Sequence, residues 1–274
     1  MKLFFKIIVN SEQKIIIGIS INNNKILKIM RKKNVAVILS LVLFIAFSYS
    51  SAKGQIHSTT GGGSWNDTLT WVNWKIPGPG DDVVIEGRVD VTGAECNNLV
   101  VNPNGILQNR SYTNYTIRVN GTVTNNGVIR NFPDWYNLYM TVGGDIINNG
   151  EWSNQYTYLT GDQDQTLAFT KEFSGYRLED TNPQSGLVAN TDLHFKNTKI
   201  DLNGSTIRLG QGGKLYLYGE WLFNGQIVGT NSEVYLFENA FMERIMLDNV
   251  SLKGIINVFS SVVIDEENVI EGLE

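Results

Sequence analysis

From residue 82 onward the apolar positions recur at a spacing close to two, in short runs rich in β-branched and aromatic residues and broken by Asn and Gly. Val83-Val84-Ile85, Leu99-Val100-Val101, Tyr115 to Val119, Leu215-Tyr216-Leu217 and Val234-Tyr235-Leu236 are such runs. This alternation predicts short strands with turns between them. No stretch carries a sustained 3.6-residue apolar stripe. The best helical candidate, Asn239 to Leu247, is short and sits inside strand-like sequence.

The pattern also repeats. Val119 to Ile129 (VNGTVTNNGVI) aligns without gaps on Val142 to Trp152 (VGGDIINNGEW), and again on Leu217 to Ile227 (LYGEWLFNGQI). The shared form is apolar-x-Gly-x-apolar-x-x-Asn-Gly-x-apolar, and Leu252 to Ile256 reads as a partial fourth copy. The first two copies lie 23 residues apart. A unit of about 20–25 residues built of short strands and Asn/Gly corners is the signature of a β-solenoid, in which each coil buries its apolar face on the next. The fold class predicted is all-β, a right-handed parallel β-helix. Val119, Val123, Val142, Ile146, Leu217 and Trp221 are its expected inward residues, with Asn and Gly at corners that require φ > 0. Stacked Asn side chains would then bond their copies in adjacent coils, which gives the 31 asparagines a physical use. The alternative is an antiparallel β-sandwich in which each Asn-Gly closes a two-residue hairpin.

The first 54 residues differ in kind. Residues 30–54 read MRKKNVAVILSLVLFIAFSYSSAKG: a basic start, an apolar stretch from Val35 to Phe47, and small residues at Ala52 and Gly54. That is the form of a secretory signal peptide, and its apolar stretch falls short of the roughly 20 residues a membrane-spanning helix needs. Residues 1–29 precede it and draw 18 of their number from Ile, Lys and Asn, whose codons are AT-rich. They read as a mis-called upstream extension; the alternative is a genuine extension with a second apolar run, Ile15 to Ile21, too short to span a membrane. The domain organisation expected is therefore 1–29 extension, 30–54 signal peptide and 55–274 a single solenoid.

Charge changes the picture once 1–54 is set aside. That segment holds nine Lys/Arg and one acidic residue, so the remainder carries 13 basic and 26 acidic side chains, a formal net of −13. Such a surface repels nucleic acid and anionic lipid, and disfavours strongly polyanionic polysaccharide unless calcium bridges it. One cysteine and two histidines leave no disulfide framework within the chain and no Cys/His zinc site.

Residues 64–101 add a further frame: Trp65, Trp71, then Pro77-Gly78-Pro79-Gly80-Asp81-Asp82-Val83-Val84-Ile85, Gly87, Val91, Cys96 and Leu99-Val100-Val101. This frame resembles the opening of secreted parallel β-helix proteins common in Bacteroidetes, and the eight-glycine domain of some animal and bacterial surface proteins. Leu178 to Glu220 resembles their follow-on coils more loosely. The resemblance implies secretion or outer-surface display. It also implies a longer chain, often ending in a sorting domain, whereas this sequence stops at Glu274 in what reads as the middle of a coil. A fragment of a longer gene is expected on that ground, with Val262, Ile264, Val269 and Ile270 at a bare final edge. Within the frame, Trp65, Trp71 and Trp74 are expected to cap the open end of the solenoid, although stacking on sugar is a second role for them.

The resemblance also raises polysaccharide lyases and glycosidases, which share the scaffold. A glycosidase needs two carboxylates flanking a groove. Asp162 with Asp164, and Asp81 with Asp82, are the nearest pairs, and solvated corners are the plainer reading of both. Carboxylates of this kind also hold calcium, but no complete ligand loop is present. His57 reads as part of a loose tail, His194 as a structural strand residue and Cys96 as a small buried hydrophobe. Trp135 and Tyr136, in the aromatic insertion Phe132 to Tyr136, are the candidate glycan contacts, with packing on a neighbouring loop as the alternative. Asn66 and Asn120 stand in N-glycosylation sequons. The function expected is a secreted or cell-surface, non-catalytic module with a structural, adhesive or glycan-contacting role; the alternative is a carbohydrate-active enzyme. No cofactor, nucleic-acid partner or stable membrane span is expected.

Overall fold

The computed structural model describes the backbone of residues 4–9, 15–21 and 24–30. It describes residues 54–254 in full except 111, 133–135 and 183, and the strand pairings of 257–258, 263–264 and 270–271. The chain divides into two units, Met1–Lys53 and Gly54–Glu274. In the first, Phe4–Val9, Ile15–Ile21 and Asn24–Met30 form an antiparallel three-stranded sheet. Residues 31–53, most of the segment expected to be a signal peptide, lie outside the described residues.

The second unit is a parallel β-helix of about eight turns. Each turn contributes a short strand to each of three faces, and strands pair in parallel with their equivalents one turn away. On the first face Ile56, Val83, Leu99, Val123, Ile146 and Leu167 stand in register. On the second, Val89, Leu107, Ile129 and Trp152 do so, continued through Phe173 to Phe195, Leu217 and Leu236. On the third, Ile117, Met140, Thr157, Leu178, Ile200, Leu222 and Met242 align. Every one of these side chains is buried. The period-two alternation seen in the sequence is thus the alternation between core and solvent on each face. Each large apolar side chain so buried contributes about 1.5–3 kcal/mol. Parallel pairing excludes the antiparallel sandwich. The 17-residue strand Trp221–Phe237 and the strand Phe241–Gly254 each run around corners, and the latter absorbs the candidate helix at Asn239 to Leu247.

The first two repeat copies superpose as aligned: Val119 pairs with Val142, Val123 with Ile146 and Ile129 with Trp152. The third does not. Leu217 pairs with Phe195 on the second face, whereas Val142 lies on the third. Leu217 connects through Leu236 to Gly254, so the partial fourth copy is displaced as well. Any tight corner between two faces needs the same apolar–Gly–apolar chemistry, so the motif marks a corner without saying which one. The displacement also turns Trp221 outward: it is 37% exposed, against complete or near-complete burial of the other five expected inward residues.

The corners are built in two ways. At Asn125-Asn126-Gly127 and Asn148-Asn149-Gly150 no residue has positive φ. The asparagines instead form ladders: Asn125 Nδ2 donates to Asn148 Oδ1 at 2.9 Å, and Asn149 Nδ2 to Asn126 Oδ1 at 2.9 Å. Gly144 is likewise not left-handed; a Cβ there would stand 2.6 Å from the Gly121 carbonyl carbon, so close coil stacking is what requires glycine. Later corners use the left-handed region expected from the sequence, at Gly219 (φ +69) and at Asn224, Asn231, Asn239 and Asn249.

At the N-terminal end Trp65 and Trp71 meet edge to face with centroids 5.0 Å apart, both buried, and Trp71 Nε1 donates to the Trp65 carbonyl at 2.8 Å. These two form the cap. Trp74 does not join them and is 73% exposed. His57 is no loose tail: it sits in the strand Ile56–His57, opposite Val84. At the other end Ile264 pairs with Leu247 and Ile270 with Leu252, while Val262 and Val269 lie outside the described residues.

Candidate functional site

The outer surface of the third face carries two columns of side chains. One runs Thr116, Tyr139, Tyr156, Arg177 and Lys199. Pairing of Ile200 with Leu222 places Trp221 next in that column, and Phe241 follows it. The other runs Glu95, Arg118, Thr141, Tyr158, Glu179, Asp201 and Phe223.

Ring geometry separates structural aromatics from available ones. Tyr139 and Tyr156 are stacked with nearly parallel rings, 5.0 Å apart at 3°, so each covers the face of the other. The outer second face repeats this arrangement: His194 on Tyr216 at 4.3 Å, Tyr216 on Tyr235 at 4.8 Å, and Tyr218 on Phe237 at 4.9 Å. These separations match the spacing between neighbouring strands. The stacks brace successive coils as cross-strand pairs do, and His194 is structural, as the sequence suggested.

Two rings escape that pattern. Tyr176 stands at 80° to Tyr156, and Trp221 is tilted 47° from Phe241; both are more than a third exposed. Between them lies Lys199, whose Nζ donates to Tyr176 Oη at 3.1 Å, rides 5.0 Å from the Tyr176 ring centroid and reaches Glu220 at 3.9 Å. The hydrogen bond to Tyr176 holds the ammonium's pKa above its ordinary value. Beside it, Arg177 binds Asp201 at 2.9 Å and lies 5.8 Å from the Phe223 ring. The result is a row of part-exposed aromatic rings beside a cation held over one of them.

Of the two residues expected to contact glycan, Tyr136 is 37% exposed at the corner entering the third face, two turns before Tyr176. Trp135 lies outside the described residues. Three of the four carboxylates in the candidate pairs are engaged in structural bonds. Asp82 Oδ1 accepts from Asn97 Nδ2 at 2.8 Å and from Asn98 Nδ2 at 2.9 Å, while Asp81 binds Lys75 and the Gly78 amide. Asp164 accepts from the Gly186 amide and pairs with Arg208. Asp162 instead lines a polar notch of about 450 Å³ with Arg118, Asn120, Thr141, Gly143, Thr160 and Gly161. Among the described residues, no group of three or more His, Cys, Asp or Glu side chains is placed to hold a metal.

His57 and Glu86 form a second polar constellation, 3.0 Å apart at the edge of a cleft of about 470 Å³. Hydrogen bonds from Asn102 and then His57 lower the Glu86 pKa. The neighbouring Ser58 is buried and its Oγ accepts from the Glu86 amide rather than facing the histidine. Cys96 is fully buried, and burial pushes its thiol up to about 12, which removes it from nucleophilic chemistry.

Compared with known proteins, the chain matches no family, and no curated protein or solved structure is similar to it.

Proposed function

We propose that the protein is a secreted, non-catalytic β-helix module that contacts glycans through the outer surface of its third face. The observation that carries this reading is the pair of part-exposed rings, Tyr176 and Trp221, flanking Lys199 on a parallel sheet. Aromatic faces accept the C–H faces of sugar rings, and adjacent charged and amide groups pair with hydroxyls. Three of the four carboxylates that a hydrolase would use are engaged in structural bonds: Asp81 with Lys75 and the Gly78 amide, Asp82 with the Asn97–Asn98 corner, and Asp164 with Arg208 and the Gly186 amide. Residues 30–54 supply the export signal, and the likeness of 64–101 to secreted Bacteroidetes β-helix proteins and to the eight-glycine domain supports surface display.

Affinity electrophoresis in gels cast with neutral and with uronate polysaccharides tests the reading. Retention by at least one neutral polysaccharide is expected, lost in Trp221→Ala and Tyr176→Ala and kept in Tyr216→Ala. Absence of retention on every polysaccharide would overturn glycan contact. Release of new reducing ends with turnover would establish the enzyme instead.

A further inference from the structure

The notch at the corner between the third and first faces has features that its coil packing does not require. It spans three successive coils. Arg118 and Thr141 stand in register on its third-face side, and Asn120, Gly143 and Gly161 follow at the turn. Asp162 closes the far side.

Its two charged side chains have no protein partner. Among the described residues, neither the Arg118 guanidinium nor the Asp162 carboxylate makes a hydrogen bond or ion pair, although ten Lys/Arg–carboxylate pairs tie other charges along the solenoid. The Thr141 hydroxyl is shut off from solvent and likewise has no partner. A buried polar atom left unpaired calls for a partner the chain does not supply. Rotation about χ1 is the inexpensive way to bring that hydroxyl to an occupant of the notch.

The floor is empty because it must be glycine. A Cβ on Gly143 would lie 2.5 Å from the Asn120 carbonyl oxygen. It is also rigid. Gln165, 2% exposed, donates to the Val142 and Gly144 carbonyls and accepts from the Gly161 amide at 2.9 Å, clamping the backbone on both sides of the floor. A preformed polar concavity of this size suits one or two small rings.

Its charge selects the ligand class. Arg118 and Asp162 cancel, and Glu95, one coil before Arg118 in register, adds a further carboxylate that is held by Asn120 at 3.1 Å. An anion meets Asp162 and Glu95 in a chain that is already acidic; a cation meets Arg118. A polyol satisfies all of them, because each hydroxyl both donates and accepts: Asp162 accepts, Arg118 donates, and the hydroxyls of Thr141 and Thr160 do either.

We propose that this notch binds an uncharged hexopyranose unit of a glycan. The proposal rests on the glycan-contacting reading and adds the place and the charge of the sugar bound there.

The test is isothermal titration of the full chain with uncharged hexose tetrasaccharides (cellotetraose, mannotetraose, galactotetraose) and with tetragalacturonate. At least one neutral tetrasaccharide is expected to bind at least ten-fold more tightly than the uronate. Arg118→Gln and Asp162→Asn should each weaken it at least five-fold without changing the melting temperature, since neither side chain has a partner to lose. If no oligosaccharide of either charge binds, the glycan reading fails and the notch proposal with it. If neutral sugars bind and lose affinity in Trp221→Ala but not in Arg118→Gln or Asp162→Asn, the glycan reading stands and the notch is overturned. Tighter binding of the uronate, strengthened by Asp162→Asn, would overturn the assignment of an uncharged sugar.

Discussion

The side-chain amide of Asn125 donates to the Oδ1 of Asn148 one coil away, at 2.9 Å, with neither residue exposed to solvent. The same Asn125 nitrogen also reaches the Glu151 carbonyl, and its Oδ1 accepts from the Gly127 amide. Asn148 in turn donates to the Lys171 and Glu172 carbonyls. The ladder therefore satisfies backbone groups at a corner where the sheet hydrogen bonds run out. Asn148→Ala leaves the Lys171 and Glu172 carbonyls and the Asn125 amide short of partners, and should cost about 1–3 kcal/mol in urea unfolding. Asn149→Ala, whose partner Asn126 is only partly buried, should cost less. Equal costs would show that burial of the ladder is not what gives it weight.

Gly219 and Gly144 separate the two reasons for a corner glycine. Gly219 is left-handed, at φ +69, so Gly219→Asn should be tolerated and Gly219→Val should cost more than ~1 kcal/mol. At Gly144 a Cβ meets the backbone of Gly121 and Thr122 at 2.6–2.8 Å. Gly144→Ala and Gly144→Asn should therefore both cost about 1–3 kcal/mol, because backbone cannot move aside as a side chain can. Thermal melts of the four variants check this. A tolerated Gly144→Ala would mean that the coils separate more easily than their packing indicates.

These corners mark the limit of what the sequence discloses. The register of the first two copies, the Asn ladder and the Trp65–Trp71 cap were all legible, because each depends on residue type at a fixed offset. The third repeat copy was misplaced because Leu217-Tyr218-Gly219 satisfies the same corner chemistry on a different face. The row at Tyr176, Lys199 and Trp221 was missed because its members lie 23 and 22 residues apart. Only the coil length brings them together, and that length could have been applied as a ruler to every exposed aromatic and basic residue once the first two copies had fixed it.

Glu233 and Asp180 give opposite dependences on pH. Glu233 is bound first by Lys253 at 2.7 Å and next by Tyr235 at 2.7 Å, which lower its pKa from 4.5 to about 2. Its stabilisation is complete above the unfolded value of 4.5 and is lost as pH falls through about 2. Asp180 lies on the inward column after Leu159, 1% exposed, and burial raises its pKa. Its charge opposes folding at neutral pH, and protonation on acidification relieves that opposition. Melting temperature followed from pH 7 downward should show Glu233→Gln below the parent at pH 7 and converging with it near pH 2. Asp180→Asn should lie above the parent at pH 7 and converge once the raised pKa is passed. Asp180→Asn below the parent at neutral pH would mean that the negative charge gains more from its hydrogen bonds, the Asn182 amide among them, than burial costs it.

Cys96 offers a direct reading of coil opening. It is fully buried with Val119 as its partner in register, and burial raises its thiol to about 12. Labelling with an aromatic disulfide should be slow in the native protein and should accelerate by orders of magnitude across the urea transition. Rapid native labelling would show that the first coils open locally.

The cap carries the last prediction. A solenoid's terminal coil has a neighbour on one side only, so its outer core face must be covered by something other than another coil. Here the chain from Ile56 to Trp71 crosses the end of the first complete turn: Ile56 pairs with Val83, Gly63 with Val89, and the Trp65 amide donates to the Asp90 carbonyl. Trp65 and Trp71 fill the opening, and the indole N–H of Trp71 is satisfied by the Trp65 carbonyl. Removing either ring exposes the core beneath it, and Trp71→Ala should cost about 3–5 kcal/mol. Trp71→Phe keeps most of the apolar area but leaves the Trp65 carbonyl without its donor, and should cost less than the alanine variant. Trp74→Ala, at an exposed ring, should cost almost nothing. Because coils contact only their neighbours, the loss in Trp71→Ala should appear first as faster hydrogen exchange over Val83 to Val101, with Val119 to Trp152 still protected. Uniform loss of protection along the chain would show that the helix unfolds as one cooperative block and that the cap stabilises all of it together.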